Sequence, residues 1–215
     1  MSDALYLSLW YPNLRFPALA DKLVSVLAAF QKHGGEASVY AATVWPVGWS
    51  EPVVFQRVWG AGERGAEPRA AVAEALELLH EDYAYEFQIA WDLWELETPE
   101  AAQAREPNAE AMTLAPRWAR APRLVRVTAF GPLFEEGCYE QEGHIRIDFG
   151  PDGPFLEEEA DLSTVGAGHI EQNLRQLIDL ALSAEKASGA TARLLWSELG
   201  EDLASRVAAR LGMGN

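Results

Sequence analysis

Three polar residues, His144, Arg146 and Asp148, occupy alternate positions of one short stretch. In a β-strand, alternate residues share one face, so these side chains lie together, opposite the two intervening isoleucines. A histidine and a carboxylate beside an arginine could transfer protons on an anionic substrate, with Glu142 as a second carboxylate. The same alternation is typical of the solvated face of an antiparallel strand. His144, Asp148 and Glu142 are therefore the candidate catalytic residues, and an ordinary polar strand face is the favoured alternative.

Four arginines, Arg117, Arg120, Arg123 and Arg126, recur at every third position. An extended segment with three residues per turn would align them on one edge, until a strand begins and turns Arg123 and Arg126 to opposite faces. Guanidinium groups bind phosphate and carboxylate ligands, often with two parallel hydrogen bonds. Pairing with the acidic segment that follows is the competing interpretation, and the net negative charge favours it.

Eight tryptophans supply the main indication of a ligand. Trp45 and Trp49 flank one turn, whereas Trp94 shares a strand face with several polar side chains. Most tryptophans fill protein cores, but an apolar wall with a few polar groups is also how small-molecule sites are lined. The candidate ligand-binding residues are Trp45, Trp49, Trp94, Glu86, Gln88, Asp92, Arg117, Arg120 and Arg123.

The charge balance restricts the partners. There are 33 acidic and 17 basic residues, giving a formal net charge of −16. Such a chain repels nucleic acids and anionic lipid surfaces, so we expect neither as a partner. Residues 135–161 hold ten acidic residues against one base, Arg146, which predicts a solvated face or a docking site for a basic protein. Their spacing does not match a calcium-binding loop, and no metal site is predicted.

The sequence shows no sign of a membrane span, a signal peptide or a cofactor-binding motif. No apolar run approaches the ~20 residues needed to span a bilayer, and the first residues lack the basic patch of a signal peptide. The single cysteine, Cys138, excludes an intrachain disulfide, and a cytoplasmic location is expected. No phosphate loop, nucleophile elbow or zinc-protease motif is present, so the sequence assigns no cofactor.

The first half, residues 1–96, shows clear periodicity. Two-residue alternation indicates strands and a spacing of three to four residues indicates helices. The elements follow in the order β-α-β-β-α-β, which predicts a ferredoxin-like α+β arrangement with both helices on one face of an antiparallel sheet. The predicted elements are a strand at 4–11, a helix from Pro17, strands at 39–45 and 53–59, a helix from Pro68 and a strand at 83–96.

Residues 97–122 are rich in alanine, glutamate and proline and are predicted to form a long connection. The second half, residues 123–215, is predicted as β-β-(β)-α-α. Its strands are too few to cover its own helices, which favours one sheet shared by both halves, and hence one continuous domain over 1–215. The predicted elements are strands at 124–130, 144–149 and 154–156 and helices at 169–187 and 197–211.

These observations favour a non-enzymatic binding module, an acidic protein that receives a small ligand or a protein partner on a tryptophan-rich sheet surface. Two alternatives stay open. One is a small hydrolase or metal-assisted enzyme that uses His144 and Asp148, and the other is an acidic partner that neutralises a basic protein. A homodimer formed through a sheet face or an edge strand is compatible with each of them.

Overall fold

The computed structural model of the chain describes residues 3–34, 38–48, 50–57, 65–77, 79–97, 102–104, 117–156, 164–198 and 203–212. The strands are β1 (Ala4–Trp10), β2 (Val39–Pro46), β3 (Val54–Arg57), β4 (Tyr83–Leu96), β5 (Trp118–Phe130), β6 (Ile145–Pro151) and β7 (Ala192–Ser197). The helices are α1 (Leu19–Ala29), α2 (Pro68–Ala75), α3 (Cys138–Gln141), α4 (Gly153–Leu156), α5 (Thr164–Ser188) and α6 (Leu203–Arg210).

All seven strands form one sheet in the order β3-β2-β4-β5-β6-β1-β7, and every neighbouring pair is antiparallel. The α+β class is therefore confirmed, but the ferredoxin-like arrangement is not. The first six elements follow the predicted order along the chain, yet β5 and β6 separate β1 from β4. The physical reason is that β2 and the long strand β5 occupy the two edges of β4, which leaves β1 to pair with β6 and β7.

One face of the sheet, here called the inner face, carries the core. The alternation predicted for β4 is confirmed, because its odd-numbered residues from Tyr85 to Leu93 are fully buried. They pack with residues of α1, α2, α4, α5 and α6 in one apolar cluster. A fully buried large apolar side chain contributes roughly 1.5–3 kcal/mol, so this face accounts for most of the stabilisation.

The opposite, outer face is covered differently. The segment 131–144, which contains α3, lies across the ends of β4, β5 and β1. There Cys138 packs with Ala84 and Phe130 in a second, smaller cluster. Among the described helices, only α3 lies in this cluster.

Strand β5 begins earlier than the predicted strand at 124–130, inside the expected connection. It pairs with β4 from Trp118 onward, and Pro122 lies opposite Asp92. The backbone N–H of Asp92 donates to the Gly34 carbonyl, away from β5, so Pro122 faces a position where no ladder bond to β4 is needed. Because β6 pairs with β5 only from Arg126 onward, the other edge of β5 also tolerates the proline there.

Two further predictions are corrected in the second half. The predicted strand at 154–156 is the short helix α4, in which the Asp152 carbonyl accepts from the backbone N–H groups of Phe155 and Leu156. Ser197, where the last helix was predicted to begin, instead ends β7, a strand that the sequence did not predict, and the described helix α6 spans Leu203–Arg210. Strand β7 is short and half exposed, so its composition carries little periodic signal.

Helix α5 is the longest helix in the described ranges, and it is amphipathic. No helix in the described ranges combines the length and the apolar character that crossing a bilayer requires.

Candidate functional site

The three candidate catalytic residues do not converge. Arg146 pairs with Glu142, and Arg126 pairs with Asp148 at 3.2 Å. His144 precedes β6, and Asp148 lies four residues further, roughly 13 Å along the strand. Each of the three groups therefore has its own neighbours, and the structure does not bring them together as an acid–base set.

His144 is held as a packing residue. Its ring stacks on Tyr139 with ring centroids 4.0 Å apart, and its Nδ1 accepts a hydrogen bond from the Tyr11 backbone N–H at 3.1 Å. Burial lowers the pKa of His144, and the Glu140 carboxylate opposes that shift only in part. Nearby Cys138 is buried, and burial raises the pKa of its thiol, which makes it a poor nucleophile.

The arginine series separates as soon as β5 begins. Arg117 pairs with Glu97 at 3.4 Å and Arg123 with Glu95 at 3.0 Å. Arg123 also donates to the carbonyls of Phe149 and Pro151, which satisfies the free edge of β6. With Arg126 on Asp148, three of the four guanidinium groups are neutralised by carboxylates. Arg120 is the exception, since in the described ranges it contacts the Gln176 amide oxygen at 3.1 Å and the Trp94 ring but forms no ion pair with a carboxylate.

The candidate tryptophans lie far apart. Trp45 is exposed on β2 opposite Ala84, ten residues along β4 from Trp94, which is roughly 33 Å. Trp49 lies outside the described residues. Glu86, Gln88 and Asp92 follow the outer face of β4 between these ends. The structure brings the predicted residues together in two separate places: Trp94 pairs with Arg120 across β4 and β5, and the Gln88 side chain donates to Glu86 at 3.4 Å.

Helix α5 closes the free edge of β4 next to Trp94. Beyond Ile89, β4 does not pair with β2, so the backbone N–H and C=O groups along this edge need other hydrogen-bond partners. The Asn173 side chain accepts from the Trp94 N–H at 2.9 Å and donates to the Trp94 carbonyl at 2.7 Å. Gln176 donates to the Asp92 carbonyl at 3.1 Å. The amide side chains of α5 thus replace a neighbouring strand.

This docking creates an aromatic stack, here called the Trp–His stack and consisting of Trp94, His169 and Trp118. The imidazole of His169 lies 4.0 Å from the Trp94 ring centroid and 5.5 Å from that of Trp118. The Arg120 guanidinium lies 5.6 Å from the Trp94 ring centroid. A cation and three aromatic rings therefore meet where β4, β5 and α5 join.

Two polar atoms of the Trp–His stack lack partners. Nε1 of Trp94 and Nδ1 of His169 are both buried, and neither has a hydrogen-bond partner among the residues that the structure describes. A buried polar group without a partner costs about 1–3 kcal/mol. By contrast, Nε1 of Trp196 donates to the Ser8 hydroxyl and Nε1 of Trp91 to the His33 carbonyl. Trp94 thus differs from Trp91 and Trp196, whose indole N–H groups have partners.

Sequence reasoning missed His169 and Trp118 as site residues. A signal for the first was present, because His169, Asn173 and Gln176 recur at spacings of four and three residues. That spacing places them on one helix face, beside the apolar stripe that packs into the core. Trp118 carried no signal, since it lay in the segment predicted as a connection.

No group of three or more histidine, cysteine, aspartate or glutamate side chains in the described ranges is arranged to hold a metal ion. The acidic segment 135–161 instead uses several carboxylates internally, with Asp152 bound to Arg206 at 2.8 Å as a further case. The chain matches no family model, no curated protein and no solved structure. The functional assignment therefore depends on the geometry of the site.

Proposed function

We propose that the protein is a non-enzymatic binding module that receives a small ligand bearing a carboxylate or phosphate group at the Trp–His stack. One observation carries the proposal. Two buried ring nitrogens without partners lie in the same cluster as Arg120, the arginine of its series without a described carboxylate partner. Groups of this kind are costly in a protein that leaves them unused, and a ligand would satisfy them.

The donor set selects an anion. The indole N–H of Trp94 can only donate, and the Arg120 guanidinium carries permanent charge and several donors. The Trp94, His169 and Trp118 rings supply the apolar surroundings that small-molecule sites use. A ligand would approach from the exposed side of Arg120 and displace the cation from the Trp94 ring.

The enzyme alternative receives less support from this geometry. His144, Asp148 and Glu142 have separate partners, so they do not form one acid–base set. We further propose that the protein acts in the cytoplasm, on the basis of its single, buried thiol.

A titration followed by NMR tests the proposal. Benzoate is the probe, because it joins a flat ring to a carboxylate, and benzamide is the neutral control of the same shape. We expect benzoate to shift the indole N–H resonance that Trp94→Phe removes, while benzamide leaves it in place. Phenylalanine retains an aromatic ring for the stack on His169 and loses only the donor, so the variant should fold.

Two variants sharpen the result. Arg120→Gln should weaken benzoate binding about tenfold or more, which is the usual loss for a charge-assisted hydrogen bond. Trp196→Phe is the matched control, because its indole is already satisfied by Ser8, and it should retain binding. If benzoate leaves the Trp94 resonance unmoved, or binds equally to Arg120→Gln, the proposed site is wrong.

A further inference from the structure

A second surface lies at the other end of the sheet and is independent of the Trp–His stack. It consists of exposed large apolar side chains on β2, β3 and the turn between them, here called the apolar edge. Their exposed fractions range from 38% for Tyr40 to 60% for Phe55. Contiguous exposed apolar surface marks interaction sites in soluble proteins. The members are Tyr40, Trp45, Val47, Val53, Val54 and Phe55.

The backbone at the apolar edge is also open to pairing. In the described part of the chain, β3 is terminal in the sheet, with β2 as its one neighbouring strand. Edge strands present unpaired N–H and C=O groups, and proteins usually protect them with charged side chains. The opposite edge has such protection, because Arg193 of β7 pairs with Glu185. On β3, the exposed residues Val54 and Phe55 are apolar, and the one charged residue in the sequence of the strand, Arg57, is its last.

Carboxylates surround the apolar edge without described cations. Glu51 accepts from the Tyr83 hydroxyl, and Glu74 of α2 accepts from the Gln56 side chain of β3. Glu86 lies on the outer face of β4 opposite Thr43, which in turn pairs with Phe55. In the ranges that the structure describes, none of the three forms an ion pair with lysine or arginine.

We propose that β3 receives an extended segment of a partner protein in which apolar residues alternate with lysine or arginine. Such a segment would add a strand to the sheet, place its apolar side chains beside Phe55 on the outer face, and bring its cations, which point to the opposite face, towards Glu74 beside Gln56. Charge complementarity decides the occupant. A second copy of this chain would bring another net charge of −16 to the same carboxylates, which opposes self-association.

The test uses a synthetic peptide of about eight residues, a common strand length, with alternating valine and lysine. The control peptide alternates valine and glutamate. We expect the lysine peptide to shift the backbone amide resonances of 54–57, and its affinity to fall steeply between low and moderate salt. Phe55→Lys should weaken binding about tenfold or more, as loss of an exposed aromatic anchor does. Leu194→Lys, at an exposed position on the opposite edge strand β7, should leave it unchanged.

Several results would overturn the proposal. Equal binding to the wild type and to Phe55→Lys would show that the peptide responds only to net charge. Shifts confined to the acidic segment 135–161 would move the docking site there. A dimer in sedimentation experiments that Phe55→Lys dissociates would make a second copy the occupant. Binding of the lysine peptide is also measured for Val53→Lys, at another exposed position of the apolar edge. A folding defect in Phe55→Lys alone then does not decide the outcome.

Discussion

At the scale of single residues, the four regularly spaced arginines differ in whether a carboxylate is their partner. The spacing of the four arginines suggested a common ligand, yet three of them form ion pairs with Glu97, Glu95 and Asp148. The sequence predicted that β5 would turn neighbouring arginines to opposite faces. It could not predict which arginine has no carboxylate partner among the described residues, because that depends on which acids the strand pairing brings opposite.

For His144, too, the sequence predicted the position of the side chain but not its hydrogen-bond partners. Its position on the outer face was predicted, but its Nδ1 bond to Tyr11 comes from a residue more than a hundred positions away. Residues of this kind have roles that depend on tertiary neighbours, and alternation along a strand does not reveal them. The sequence therefore indicated the face of the sheet on which His144 lies and not its function.

The lowered pKa of His144 predicts a pH dependence of stability. In the unfolded chain the imidazole binds its proton near its ordinary pKa of about 6.5, whereas the buried imidazole stays neutral to lower pH. The unfolded state therefore binds more protons as the pH falls through that value. The free energy of unfolding therefore has its full value, as far as His144 is concerned, above about pH 6.5. It decreases progressively at lower pH, until the imidazole of the folded state also binds its proton.

The measurement is the urea midpoint at about pH 7.5 and about pH 5.5, on either side of the ordinary histidine pKa. His144→Asn offers an amide oxygen to the Tyr11 N–H without a titrating ring, so it should lose less stability on acidification than the wild type. His80→Asn removes an exposed imidazole as the control. An identical loss in His144→Asn and the wild type would contradict the assignment.

At the scale of elements, β4 and α5 were predicted with different success. Alternation over fourteen residues predicted β4 with the bounds that the structure has, because both faces repeat every two residues. The apolar stripe of α5 predicted a helix as well, although it begins earlier than expected. The sequence did not predict the hydrogen bonds from Asn173 and Gln176 of α5 to the backbone of β4. A side-chain amide that bonds to a strand distant in sequence leaves no periodic pattern.

Asn173 is the residue on which this docking depends most directly. Its buried amide makes three hydrogen bonds, two to the Trp94 backbone and one to the Pro154 carbonyl at 2.9 Å. Asn173→Leu removes all three and leaves buried backbone groups without partners. We expect it to lower the free energy of unfolding by about 3 kcal/mol in urea denaturation, at about 1 kcal/mol for each bond.

The neighbouring residue supplies the control for this experiment. Gln172 is exposed on α5, so Gln172→Leu should change the free energy of unfolding by no more than about 0.5 kcal/mol. The same hydrophobic replacement therefore separates the edge contact from any general effect on the helix. A similarly small change for Asn173→Leu would mean that the β4 edge is held by other contacts.

For the whole molecule, the strand order is what the sequence could not supply. Several strands have apolar inner faces of similar character, and local patterns do not choose among antiparallel partners for them. The chain places β1 between β6 and β7, so its N-terminal strand pairs with residues about 140–190 positions later.

This order predicts one cooperative unfolding transition. Without residues 97–215, strand β1 loses both of its neighbours, and β4 loses the whole ladder that it forms with β5. Urea unfolding of the full chain should therefore give the same midpoint by far-ultraviolet circular dichroism and by tryptophan fluorescence. A fragment of residues 1–96 should show no cooperative transition, because its inner face would remain exposed to water. Two separate midpoints, or a fragment that unfolds cooperatively, would mean that the first half holds a core of its own and that β1 can pair within it.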